Sequence, residues 1–150
     1  MNETPLEQVR AFLEAQYTLT LATRGSHGEP QAADLYYVLL DGLKMGFISA
    51  GSSRHIANIR RDPRVACTVH AMATQWRDIH GVQIEGTCAP LTGWEGMRAW
   101  ARYVARFPFV LRDAPLREAL QGMQLYCITP HWVRWIDNGV ELGYKVEFEL

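Results

Sequence analysis

The sequence lacks most of the signatures that announce a reaction. It has no G-x-S-x-G nucleophile turn, no P-loop, no G-x-G-x-x-G and no H-E-x-x-H. His27, His55, His70, His80 and His131 show no paired-ligand spacing, so no metal site is expected. Cysteine is scarce: Cys67, Cys88 and Cys127 are odd in number, far apart and set among apolar residues. Without a CxxC pair they indicate neither a disulfide framework nor a zinc ribbon, and three buried reduced thiols are expected. An excess of positive charge is missing too. The 15 Lys and Arg against 16 Asp and Glu give a formal charge of −1, which argues against a nucleic-acid partner. Long apolar runs are absent: Leu35 to Leu40 falls far short of the ~20 residues that span a bilayer. The opening "MNETPLEQ" carries no basic-then-apolar targeting pattern. These absences point to a soluble cytoplasmic protein with no membrane contact.

What is present suits one domain over residues 1–150. Hydrophobic residues make up 48% and charged residues 21%, ordinary for a chain with a real core. Thr4-Pro5-Leu6-Glu7 is a helix start, with Thr4 as cap and Glu7 completing a capping box. Leu6, Val9, Phe12, Leu13 and Tyr17 then keep helical spacing, and the helix is expected to end near Gln16. "YTLTLATR" alternates as a half-buried strand does, and "GSHGEP" turns the chain back. "QAADLYYVLL" reads as the returning strand, ended by a two-residue hairpin at Asp41-Gly42, with "LKMGFISA" as the third strand. After a short arginine-rich helix come "RVACTVHA" and "IHGVQIEGTCAPLT". A helix with Trp94, Met97, Trp100, Ala101, Val104 and Phe107 on one stripe follows, then a shorter helical piece toward Leu120. "MQLYCITPHWVRWI" supplies closing strands before a turn and a short tail. This order favours an α+β fold in which an antiparallel sheet closes into a barrel and so removes its exposed edges.

The stretch "SSRHIANIRRDPRV" divides into two parts. Ser52 or Ser53 caps a helix, Ile56 and Ile59 share a face, and Asp62-Pro63 stops it. Arg60 and Arg61 complement the dipole in the last turn. Arg54 and His55 oppose it in the first turn, which makes sense if an anion sits there. From the residues alone, an anion site and an ordinary charged helix both stay open. Asp34 is an acid inside an apolar strand and is expected to pair with an arginine or a backbone donor. The aromatic count, five Trp, six Tyr and five Phe, favours apolar burial beyond a minimal core, with Trp94, Trp100, Trp132 and Trp135 serving a core, a dimer face or a pocket wall.

Three blocks in order resemble the pyridoxamine 5'-phosphate oxidase-like, FMN-binding split-barrel proteins: "LATRGSHGEPQAADLYYV", "GFISAGSSRHIANIRRDPRVA" and "GVQIEGTCAPLT". "GVQIEG" and "ARYVARFP" look closest to a small bacterial subgroup rather than to the B6 oxidases. The chain ends "DNGVELGYKVEFEL", without the Arg/His substrate motif of those oxidases. The resemblance implies an antiparallel split β-barrel with peripheral helices, FMN as cofactor, and a homodimer with flavin at its interface. It implies that Ser49, Ser53, Arg54 and His55 take the phosphate and ribityl chain, His55 standing where relatives usually carry Lys. Ile48, Ala33, Asp34 and Leu35 would lie along the ring system, and Gly81 and Gln83 would stand where B6 oxidases place a flavin contact. The activity implied is electron transfer between FMN and a small-molecule substrate or NAD(P)H, with no catalytic acid or base identified. A non-enzymatic flavin sensor or store is the alternative. A haem-binding split barrel using His70, His80 or His131 as axial ligand is the further rival.

Overall fold

A computed structural model describes residues 2–150. Helix α1 (Pro5–Ala15) begins at the expected capping box: the Thr4 N–H donates to Glu7 at 2.7 Å and the Glu7 N–H donates to the Thr4 hydroxyl at 3.2 Å. Its inner face buries Val9, Phe12 and Leu13, while Leu6 and Tyr17 stay exposed. Strands β1 (Thr18–Arg24) and β2 (Pro30–Tyr36) form the first hairpin, with Leu21 opposite Ala33 and Thr20 opposite Asp34. Leu19, Leu21 and Thr23 of β1 point inward.

The single strand expected from "QAADLYYVLL" breaks in two. Tyr37 leaves the ladder because its hydroxyl donates to the Leu13 carbonyl of α1, and β3 (Val38–Leu39) starts after it. The two-residue hairpin at Asp41-Gly42 is likewise replaced. A 3₁₀ turn at Asp41–Leu43 makes the reversal, with Gly42 at φ +67° and Leu43 at φ +61°. Strand β4 (Met45–Ala50) leads to α2 (Arg54–Arg61), then β5 (Arg64–His70) and β6 (His80–Pro90). Helices α3 (Gly93–Arg106), α4 (Phe109–Arg112) and α5 (Ala114–Leu120) form the excursion. The closing segment is one long strand, β7 (Met123–Asp137), and the expected tail is a further strand, β8 (Lys145–Glu149), paired with it.

The strands form one antiparallel sheet in the order β2-β1-β5-β6-β7-β4-β3, with β8 beside β7. β7 is the hub. One edge pairs with β6 from Tyr126 to Asp137; along the other, Met123–Ile128 pairs with β4 and Trp132–Ile136 with β8. The β6–β7 register shifts at Glu85/Gly86, where His131 is the extra residue. A Cβ on Gly86 would stand 2.3 Å from the Thr129 carbonyl oxygen, so this crossing demands glycine. The curled sheet encloses a core of β1, β4, β5, β6 and β7 side chains, with Phe47 stacked on Tyr126 at 5.6 Å, plugged by α1 and by Ile56 and Ile59 of α2. Each such fully buried apolar side chain contributes about 1.5–3 kcal/mol.

The aromatic expectations need correcting. Only Trp135 of the four named tryptophans is buried. Tyr103 of α3, and Phe107 just after it, join a smaller cluster with Val38 and Val110, while Trp94 and Met97 stay exposed at 80% and 64%. Of the expected stripe Phe107 is buried and Trp94, Met97 and Trp100 are not, because the buried face of the helix runs through Ala99 and Tyr103.

Candidate functional site

β2 opens the sheet and β4–β3 closes it, and the two come side by side without a ladder. β3 covers β4 only at Met45 and Gly46, so β4 from Phe47 onward keeps a free edge facing this opening. The barrel is therefore split between β2 and β4, and α2 closes one end of the split against β1 and β2.

Ser49, Ser53 and His55 meet there. The Ser49 hydroxyl lies 2.6 Å from His55 Nε2 and 3.1 Å from the Ser53 hydroxyl, which is 3.3 Å from the same ring nitrogen. Ser53 is the N-cap of α2, yet its hydroxyl donates to the Ala50 carbonyl at 2.8 Å and accepts nothing from the first helical turn. The N–H groups of Arg54, His55 and Ile56 thus have no protein acceptor among the described residues. An uncapped helix start beside hydroxyls is a concentration of donors in need of an anion.

His55 and Arg54 part company. The imidazole turns inward, 9% exposed, against Phe47 at 6.4 Å. Burial lowers its pKa below the ordinary 6.5, so it is neutral at pH 7. Arg54 points outward, its side chain 62% exposed, with only a loose ion pair to Glu29 at 3.7 Å. It is the formal positive charge that the first turn of α2 offers. Arg60 and Arg61 are structural, as the sequence suggested: Arg60 donates to the Gly51 carbonyl and Arg61 to Asn58 Oδ1.

Among the remaining expected contacts, Ala33 and Leu35 are half-buried on β2, facing inward with Leu21, and Ile48 packs toward α3 on the opposite side of β4 from Ser49. Asp34 faces outward and accepts from the Thr20 hydroxyl at 2.6 Å, so its partner is a threonine rather than the arginine or backbone donor expected. Gly81 and Gln83 are not brought to this split. They lie on β6, with β5 and β1 between them and β2. Gln83 accepts from Arg134 at 3.2 Å, and a Cβ on Gly81 would sit 2.6 Å from the Val69 carbonyl, so packing alone accounts for that glycine.

Residue-by-residue reading missed the polar string that seats α2. Asn58, 2% exposed, donates to Thr23 Oγ1 at 3.0 Å, and Thr23 donates to Gln31 at 3.1 Å. The apolar spacing gave no signal for it, since Asn58 lies well round the helix from Ile56 and borders the buried face on the other side of Ile59. Glu29 was missed as well; it accepts the His27 N–H at 2.8 Å and shapes the turn that faces Arg54.

A split antiparallel barrel with a donor-rich strand-to-helix turn at the end of its opening defines the class: a split barrel in fold. Within that class the chain belongs to the pyridoxamine 5'-phosphate oxidase family, whose model matches residues 5–137. A UPF0306 protein of Photorhabdus laumondii is 31% identical over 97% of both chains. The fold is also that of a haem-binding protein of Mycobacterium smegmatis, with a TM-score of 0.82 and 20% identity over 99% of this chain and 59% of the mycobacterial one. HutZ, the haem storage protein of Vibrio cholerae, matches with a TM-score of 0.68 and 19% identity over 82% of this chain and 87% of its own. At these identities the two structures speak for the fold alone. None of the helices is long and apolar enough to cross a membrane among the described residues.

Proposed function

We propose that residues 1–150 form a single cytoplasmic FMN-binding domain that acts as a homodimeric oxidoreductase on a small-molecule substrate or NAD(P)H. The observation that carries this reading is the uncapped start of α2: three N–H groups without acceptors among the described residues, beside two hydroxyls and a guanidinium held only by a loose ion pair to Glu29. A phosphate monoester supplies the acceptors these donors lack. Bound flavin supplies hydride or electron exchange. The chain's part is to hold and orient it. Arg54 gives a charge-assisted bond in exchange for its loose contact with Glu29, Ser49 and Ser53 give hydroxyls, and the free edge of β2 at Ala33–Leu35 offers backbone groups. Asp34, engaged by Thr20, is a poor acid or base. The outward faces of β1 and β5 carry small residues, Thr20, Ala22, Ala66 and Thr68, and no helix covers them. A second copy on that face is the route by which Gly81 and Gln83 would serve a flavin, that of the partner.

Titration of the purified protein with FMN, followed by flavin fluorescence, tests the reading. Saturable quenching is expected, and Arg54→Ala should weaken it tenfold or more, in line with ~1.5–3 kcal/mol for a hydrogen bond to a charged group. Wild-type protein that leaves FMN fluorescence unchanged sinks it. A bound flavin that no donor reduces with turnover favours the sensor or store instead.

One observation favours haem as a second reading. His70, Met72, Ile79 and His80 line an open groove of about 550 Å³ at the β5–β6 turn, with Met72 93% exposed. Among similar folds, the Vibrio and Mycobacterium proteins bind or store haem. A Soret band on adding haemin, lost in His80→Ala or His70→Ala, would support it; unshifted free haemin would dismiss it.

A further inference from the structure

Three arginines, Arg98, Arg102 and Arg106, recur every fourth residue along α3 and so share one face. Two are occupied by the fold. Arg106 donates to the Glu14 and Gln16 carbonyls at 2.9 and 3.2 Å and lies over the Tyr17 ring at 3.9 Å. Arg102 donates to the Leu39 carbonyl at 3.4 Å and to Asp41 at 3.2 Å. Arg98 is left over, with only a 3.9 Å approach to the exposed Asp41.

Beneath Arg98 lies a cleft of about 120 Å³ between the first half of α3 and the β3–β4 turn. Its floor is apolar: Leu40, Leu91, Ala99 and the Cys127 thiol. Lys44 stands on the opposite rim, half-buried, and forms no ion pair among the described residues. Glu95 also lines the cleft and makes no ion pair either. Asp41 is shared by two arginines, so the rim of Lys44, Arg98 and Arg102 against Asp41 and Glu95 keeps one positive charge in excess. The room far exceeds the ~10–15 Å³ a single water needs. A few converging polar groups above an apolar floor are the usual make-up of a small-molecule site.

We infer that this cleft binds a short aliphatic carboxylate, its head between Lys44 and Arg98 and its chain on Leu40, Leu91, Ala99 and Cys127. The site is separate from the β2–β4 split and does not rest on the flavin reading. The probe is n-hexanoate, titrated into the purified chain by ¹⁵N-resolved NMR, with n-hexylamine, n-hexanol and inorganic phosphate as controls. Saturable shifts confined to residues around Leu40, Lys44, Leu91 and Cys127 are expected, with hexanoate at least tenfold tighter than every control. Lys44→Gln with Arg98→Gln, both on the surface side of the cleft, should weaken hexanoate at least tenfold while leaving the melting temperature and any FMN binding unchanged. Ala99→Leu should block the floor with the charges intact; if it fails to fold, Leu91→Trp tests the same point from the rim. Equal binding of hexanol or hexylamine, shifts centred on Ser53–His55, or no loss in the double variant would overturn the inference.

Discussion

His55 gives this protein a pH response whose sign follows from its burial. The ring is 9% exposed and tied to Ser49 at 2.6 Å, and desolvation holds its pKa below 6.5 in the native state. The unfolded chain therefore takes up a proton near pH 6.5 that the native chain refuses until the pH is lower. The stability His55 contributes is fully present above about pH 6.5 and is lost as pH falls through the lowered native value. One proton limits the slope to ~1.4 kcal/mol per pH unit. In a chain of this size about 1 kcal/mol moves Tm by roughly 2–4 °C, so the fall is at most about 3–5 °C per unit. The pKa of Asp62 lies at about 2, held down by Arg64, and those of Glu7 and Glu29 are lowered as well by their hydrogen bonds. Thermal melts at half-unit steps from pH 8 to 5 read it directly. His55→Gln keeps a polar partner for Ser49 and removes the proton, so its profile should be flatter between pH 6.5 and 5. A flavin phosphate beside Ser49 and Ser53 reverses the sign, since a dianion favours the imidazolium: FMN binding should tighten as pH drops from 8 to 6.5, and His55→Gln should abolish that trend. A melting profile whose slope is the same in wild type and His55→Gln refutes the reasoning.

Asn58→Leu removes the donor to the buried Thr23 hydroxyl and the side-chain acceptor of Arg61, and cuts the polar string that seats α2; a loss of about 1–3 kcal/mol in urea unfolding is expected, with weaker FMN retention because α2 loosens. Gly86→Ala places a methyl 2.3 Å from the Thr129 carbonyl, and should cost more than ~2 kcal/mol or shift the β6–β7 register, visible as lost near-ultraviolet circular dichroism. Burial pushes the Cys67 and Cys88 thiols up to about 12, so at pH 8 a disulfide reagent should modify them at the rate of unfolding, and all three cysteines at once in urea.

Much of the frame was legible because local chemistry decided it. Thr4, Pro5 and Glu7 fix the start of α1, and Asp62-Pro63 fixes the end of α2, without help from distant residues. The alternation in "YTLTLATR" marked β1 as a half-buried strand, as its burial pattern shows. The errors lie where tertiary contacts outvote local pattern. Tyr37 breaks its strand to reach the Leu13 carbonyl, and β8 is a strand only because β7 has an edge to offer Val146 and Phe148. On α3, Ala99 and Tyr103 take the inner face together with Phe107, while Trp94 and Met97 of the expected stripe stay outside, and the spacing could not rank the two. At the candidate site, the sequence grouped Ser49, Ser53, Arg54 and His55 but not their internal division. His55 lies inside with Ser49 while its neighbour Arg54 meets solvent, a distinction set by the core around Phe47.

The ladder between β4 and β7 sets when this turn can exist. Ala50 pairs with Met123 and Met45 with Ile128, residues remote in sequence, whereas β1–β2, β3–β4, β5–β6 and β7–β8 are all local hairpins. Loop closure makes such distant pairing the slow part of folding a β-rich chain. Ser49 takes its place only once β4 is zipped to β7, so the donor cluster is assembled among the last elements of the fold. During synthesis it cannot form until the chain has grown past Ile128.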